Sequence, residues 1–309
     1  MENKNQRLFS QLKELDTEQR NASTQQIDLA DPLEIARLIN AEDQKVALEV
    51  EKKLPEIARA IDLIKEAFDK GGRLIYVGAG TSGRLGILDA SECPPTFGTD
   101  PGQVIGLIAG GKEAVFESQE SAEDHESNGR EALQEANLTS NDIVCGLAAS
   151  GRTPYVHGAL KEAKELGCHT IFVTTVPADQ ITIDVDVMID VPVGPEPIMG
   201  STRMKSGTAQ KMVLNMLTTG AMIRKGKVYE NVMVDLQLSN QKLEERSKRI
   251  VMMFTGASYE EAGTWLEKAG GHVKTALVMA QTGFSQLEAR QKLEEHDGFI
   301  RKVLQETSV

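Results

Sequence analysis

Leu74-Ile75-Tyr76-Val77-Gly78-Ala79-Gly80-Thr81-Ser82-Gly83-Arg84 reads as a buried strand, a glycine-rich turn carrying two hydroxyls, and a helix start. Amides at a helix start, with the hydroxyls of Thr81 and Ser82 beside them, suit a single phosphate. The plain alternative is a tight strand–helix turn with no ligand. Gly78, Gly80 and Gly83 satisfy G-x-G-x-x-G, a weak signal by itself. Asp89 and Glu92 follow too soon to be the ribose-binding acid of a dinucleotide site, expected about 20 residues on. No G-x-x-x-x-G-K-[ST] occurs, which argues against a nucleoside triphosphate.

Around this stretch, short apolar runs alternate with helical patterns. Residues 74–77, 104–108, 143–147, 170–174 and 187–191 read as strands that are apolar on both faces, as parallel strands covered by helices must be. The expected fold is α/β, a doubly wound, mostly parallel sheet with ligands at the strand C-termini. Upstream, Asp31-Pro32 opens a helix, since Asp accepts from free amides and Pro tolerates the first helical position. A second helical run continues to Phe68, with Pro55 kinking or dividing it and Gly71-Gly72 ending it. Residues 1–30 are polar and weakly periodic. Periodicity alone reads them as a disordered tail rather than a strap over a site or a partner subunit. Beyond about residue 240 the strands stop, and Thr255-Gly256-x-Ser258 recurs 27 residues on as Thr282-Gly283-x-Ser285. Two helical hairpins make a small all-helical C-terminal domain, short of the three units a solenoid usually needs. The expected boundaries are 1–59 for the arm and first helices, 60–227 for the sheet domain, and 242–309 for the helical domain.

Composition narrows the function. With 4 % aromatics the core rests on Ile, Leu, Val, Ala and Met. A net charge of −12 disfavours nucleic acid or an anionic membrane as partner, so an anionic substrate needs a local pocket of N–H groups or cations. Cys93, Cys145 and Cys168 form no C-x-x-C pair, and the five histidines share no ligand spacing. Neither a zinc site nor a disulfide framework is indicated, and a reducing cytoplasm fits. No apolar run reads as a secretion signal or a transmembrane span.

Two further clusters carry hydroxyls or cations. Ser150-Gly151-Arg152-Thr153-Pro154 follows another strand and places Ser150 and Thr153 near a helix start. Two hydroxyl-rich loops after two strands of one sheet can converge on one anion. Gly200-Ser201-Thr202-Arg203-Met204-Lys205 opens an apolar helix. It reads either as an anion site using Arg203 and Lys205 or as a capped helix with surface charges. Glu92, before Cys93-Pro94-Pro95, is expected between two small helices with its backbone fixed by the prolines. Glu123 lies in the acidic run 118–126, and composition does not single it out from its neighbours.

The two loops resemble the phosphosugar-binding loops of the sugar isomerase (SIS) domain. The longer strings Thr81–Thr96, Ile108-Ala109-Gly110-Gly111, Ala122-Glu123-Asp124 and Gly200–Lys205 resemble the N-acetylmuramic acid 6-phosphate etherase family, with Ser206 in place of an expected Ala. The arm Thr17-Glu18-Gln19-Arg20-Asn21 and the C-terminal repeat fit as well, so the resemblance spans essentially the whole chain. It implies a cytoplasmic enzyme of cell-wall recycling, a homodimer acting on a phosphosugar without metal or organic cofactor. The family's two catalytic carboxylates map onto Glu92 and Glu123. On that resemblance Glu92 is expected to protonate departing lactate and Glu123 to abstract the C2 proton, with the reverse assignment open. Thr81, Ser82, Ser150 and Thr153 would hold the phosphate, and Arg203 or Lys205 the lactyl carboxylate. A phosphosugar isomerase and a non-catalytic phosphosugar sensor are the alternatives.

Overall fold

The computed structural model describes residues 16–119, 121–236 and 241–307. The chain divides into two compact units, residues 1–91 with 102–218 and residues 92–101 with 219–309. The second unit thus begins earlier than the helical domain read from the sequence, and it takes in residues 92–101.

In the first unit, five strands form a wholly parallel sheet in the order β2-β1-β3-β4-β5. They are β1 (Leu74–Gly78), β2 (Val104–Ile108), β3 (Ile143–Leu147), β4 (His169–Thr174) and β5 (Val187–Asp190). β1 and β3 are buried along their whole length, whereas the middle of β2 is half-buried at the sheet edge. The strand order reverses between β1 and β3, so their C-terminal turns flank a crevice of the kind that open α/β sheets use for ligands.

Helices α1 (Pro32–Glu51) and α2 (Leu54–Asp69) precede the sheet. Asp31 caps α1, its Oδ1 accepting the Glu34 amide at 2.9 Å. Pro55 lies in the first turn of α2, so the expected division falls just before it, at Lys52-Lys53. Residues 1–15 of the arm lie outside the described residues; residues 16–30 form short turns, where polarity alone predicts a disordered tail. Short 3-10 turns are pinned by Asn21 and Thr24, which donate to the carbonyls of Pro195 and Pro197 at 3.0 and 2.8 Å. Its partners lie more than 170 residues away in sequence, where periodicity has no reach.

The crossovers are α3 (Gly80–Phe97), α4 (Glu126–Glu135) and α5 (Pro154–Glu165), with α6 (Lys205–Arg224) after β5. Helices α4 and α5 touch backbone to backbone. A Cβ on Gly129 would meet the Tyr155 carbonyl oxygen at 1.9 Å, and one on Gly158 would meet that of Glu126 at 1.9 Å.

The second unit holds α7 (Gln241–Thr255), α8 (Tyr259–Lys268), α9 (Val273–Thr282), α10 (Gln286–Glu295) and α11 (Ile300–Thr307). Matching capping boxes, Ser258 with Glu261 and Ser285 with Glu288, start the corresponding helices of the two repeats. The unit also contains an antiparallel hairpin, β6 (Val228–Tyr229) with β7 (Val232–Met233), too short for hydrophobic alternation to reveal. Asp235 is buried beside Lys227, Lys274 and His272. Burial pushes its carboxyl up, but His272 and the two lysines outweigh that and hold it well below the carboxylate range.

Candidate active site

The β1 turn is shaped by contact. A Cβ on Gly83 would sit 2.7 Å from Ile108 Cγ1 and 2.8 Å from the Gly78 oxygen, so α3 can start this close to β1 and β2 only on glycine. Gly80 takes φ +52°, which an L side chain rarely tolerates. The next residues form the first turn of α3, whose leading amides have no partner within the helix. Ser82 is buried in that turn, its hydroxyl donating to Gln210 Oε1 of α6 at 2.8 Å. Thr81 faces the same helix at Gly207.

On the β3 side, Thr153 precedes α5 without capping it through its side chain, which leaves its hydroxyl for other use. Ser150 Oγ accepts the Arg152 amide at a long 3.4 Å, and His157 Nε2 meets the Gly151 oxygen at 2.8 Å, fixing the loop. Ser82, Ser150 and Thr153 therefore lie on the turns that follow adjacent strands, β1 and β3.

On the β2 side, a cavity of about 290 Å³ opens beside the same β1 turn, lined by Gly80, Arg84, Ala109, Ser118, Ser121 and Glu123, with Asp124 at its rim. Glu123 reaches it from the segment between β2 and α4. The Glu123 carbonyl accepts the Tyr155 amide, and Ser121 two residues earlier adopts φ +66°. Partial desolvation, and secondarily the neighbouring Asp124, raise the Glu123 carboxyl above the ordinary glutamate range. Arg84 enters the cavity from the first turn of α3, its Nε donating to the Val115 oxygen at 2.9 Å. Sequence alone gives Arg84 no role beyond its motif; a cation one helical turn past Gly80 is the available signal.

Two expectations change, those for Glu92 and Lys205. Glu92 does not sit between two small helices, because α3 runs unbroken through Pro94 and Pro95. A proline ring already holds helical φ, and the two missing N–H groups remove hydrogen bonds only from the last turns of the helix, which ends at Phe97 with Gly98 N bonded to the Pro94 oxygen at 2.9 Å. Glu92 is exposed and belongs to the second unit, twelve residues along α3 from Gly80. Lys205 is turned into the interior. Its side chain is 2 % exposed, and its ammonium donates to Glu42 Oε2 and the Val193 oxygen, each at 2.8 Å. Glu196 takes the anion's place at the α6 start, accepting the amides of Lys205 and Ser206 at 2.8 and 3.0 Å. Arg203 is exposed in the turn before α6 and does not line the Glu123 cavity.

A parallel sheet with hydroxyl-bearing turns on either side of its strand-order reversal is an open α/β ligand-binding fold, and the comparisons make it a SIS-domain protein. Residues 124–220 match the SIS domain model, and residues 56–164 match that of the glucokinase regulatory protein N-terminal SIS domain. The chain is 57 % identical to the N-acetylmuramic acid 6-phosphate etherase of Salinibacter ruber over 96 % of both chains. It is 52 % identical to that of Bacillus subtilis, over 95 % of this chain and 97 % of the relative. That of Photorhabdus laumondii is 53 % identical, over 93 % and 96 %. The chain belongs to the N-acetylmuramic acid 6-phosphate etherase family.

Proposed function

We propose that this protein cleaves the D-lactyl ether of N-acetylmuramic acid 6-phosphate by eliminating lactate and adding water. The products are N-acetylglucosamine 6-phosphate and D-lactate, in the recycling of cell-wall sugars. One observation carries the reading: Glu123 lies in a polar cavity on the β2 side of the β1 turn, while Ser82 lies on the β1 turn itself and Ser150 and Thr153 on the turn after β3. Neighbouring strands are about 4.8 Å apart, so the β2 and β3 turns are separated by about 10 Å. That span suits one hexose with its phosphate at β3 and its C2–C3 bond at β2.

Direct hydrolysis of the ether fails because alkoxide leaves poorly. Ring opening frees an aldehyde at C1 and acidifies the C2 proton. Glu123 takes that proton, the electron pair forms C2=C3, the C3–O bond breaks, and the lactate oxygen receives the proton of Glu92. Water then adds to C3 of the enal, giving its proton to Glu92, as Glu123 returns one to C2. Each placed proton transfer contributes about 10²–10⁴-fold. The raised Glu123 carboxyl suits a base, since basicity rises with pKa. Remote binding of the phosphate fixes C2 and C3 for these steps.

Glu92 stands about 18 Å of helix axis from Gly80, farther than one hexose spans. We therefore include a homodimer in the proposal, with Glu92 reaching the sugar from a second copy, and a cytoplasmic setting. Residues 60–227 are the proposed sugar-binding region, the arm 1–59 and the helical region 242–309 its supports.

Turnover in deuterated water tests the mechanism. Lactate release with solvent deuterium at C2 of the product is expected. Displacement at C3 would leave C2 unlabelled, and an isomerase or a phosphosugar sensor would release no lactate at all.

A further inference from the structure

We propose that Arg84 is the residue that recognises the lactyl carboxylate of the substrate; the proposal rests on the etherase reading above. The substrate carries two anions, the phosphate and the carboxylate, and the product retains only the phosphate. The hydroxyl-lined turns at β1 and β3 account for the first. The second must be met where the lactyl group leaves, beside Glu123.

Arg84 is the cation lining the Glu123 cavity. Its Nε–H is occupied by the Val115 oxygen at 2.9 Å, which anchors one edge of the guanidinium. Among the described residues no carboxylate lies within ion-pair distance of it, and Nη1 and Nη2 make no hydrogen bond. Toward the described residues, four of the five guanidinium donors therefore stay available, in the planar fork that binds a carboxylate through two parallel N–H···O bonds. Glu123 and Asp124 line the same cavity without pairing with it, so the base is not neutralised by the cation that would hold the leaving group. The two cations that the sequence offered for this carboxylate do not compete: Lys205 is spent on Glu42, and Arg203 does not line the cavity.

Lactyl recognition by Arg84 makes the enzyme tell substrate from product by one charge-assisted contact. Hydrogen bonds to charged groups are worth enough to change affinity roughly 10- to 100-fold. Arg84→Gln is expected to lower kcat/KM for N-acetylmuramic acid 6-phosphate by about that factor, mainly through KM. The inhibition constant of N-acetylglucosamine 6-phosphate, which has no lactyl group, should stay within about twofold. Equal losses for both ligands, or parent-like kinetics, would overturn the assignment. A second arm uses the parent protein, with the lactyl methyl ester of the substrate. The ester should lose about as much as Arg84→Gln loses with the acid, and Arg84→Gln should lose little more when given the ester. Ester turnover equal to that of the acid, or losses that multiply, would overturn it even where the variant folds poorly. If the parent releases no lactate from the acid, the etherase reading itself falls, a result distinct from either arm.

Discussion

The backbone carbonyl of Glu123 accepts the amide of Tyr155 at 3.0 Å. Tyr155 is the second residue of α5, whose start follows Thr153, so one main-chain bond ties the proposed base to the proposed phosphate turn.

The packing behind that bond is a first test. Gly158 lies against the Glu126 carbonyl with no room for a Cβ. Gly158→Ala must separate α4 from α5, and overpacking of this kind typically costs about 1–3 kcal/mol. Denaturant unfolding should show the loss. Because the shift displaces Glu123 from the phosphate turn, kcat should fall more than the unfolded fraction explains.

Mixing two inactive variants tests the assignment of Glu92 to a second copy. Glu92→Gln and Glu123→Gln are each expected to be nearly inactive. If the two carboxylates meet across subunits, co-refolded mixtures of the two should regain roughly a quarter of parent activity, since half the symmetric dimers are mixed and each has one intact site. No regained activity would place both groups in one chain's site.

The pH profile should report Glu123. A base acts when deprotonated, and desolvation with Asp124 raises its carboxyl. Activity should therefore climb with pH through a value above the ordinary glutamate range. Asp124→Asn should move that limb to lower pH, as kcat/KM between pH 4 and 8 would reveal.

Glu42 predicts a stability effect away from the chemistry. Burial pushes its carboxyl up, but Lys205, Lys45 and Asn21 bring it down to about 2. A carboxyl lower in the folded than in the unfolded chain stabilises above its ordinary value, and that contribution is lost as pH falls toward 2. Glu42→Gln leaves the Lys205 ammonium buried against an uncharged partner and should cost about 3–5 kcal/mol. Glu42→Gln with Lys205→Met should recover much of it, measured by denaturant unfolding at neutral pH.

Much of this molecule was legible in its residues because the signals are local. All five sheet strands fall within a residue of the apolar runs that announce them, since a parallel strand buried on both faces has few other compositions. The Asp31-Pro32 helix start and the paired Ser–Glu caps of the repeat are likewise read within four residues. The family was written in the turns, where glycine contacts permit no substitute. Tertiary structure decided what each charge does. Lys205 and Arg203 looked alike beside the same helix, yet Lys205 meets Glu42 from 163 residues away and is lost to the interior. Arg84 passed as part of a motif until the fold set it in a cavity with Glu123. The prolines after Glu92 suggested a break that the helix does not make. Strand formation follows from the pattern of neighbours along the chain. The role of an ion depends on which opposite charge arrives within a few ångströms, and that distance exists only once the chain has folded.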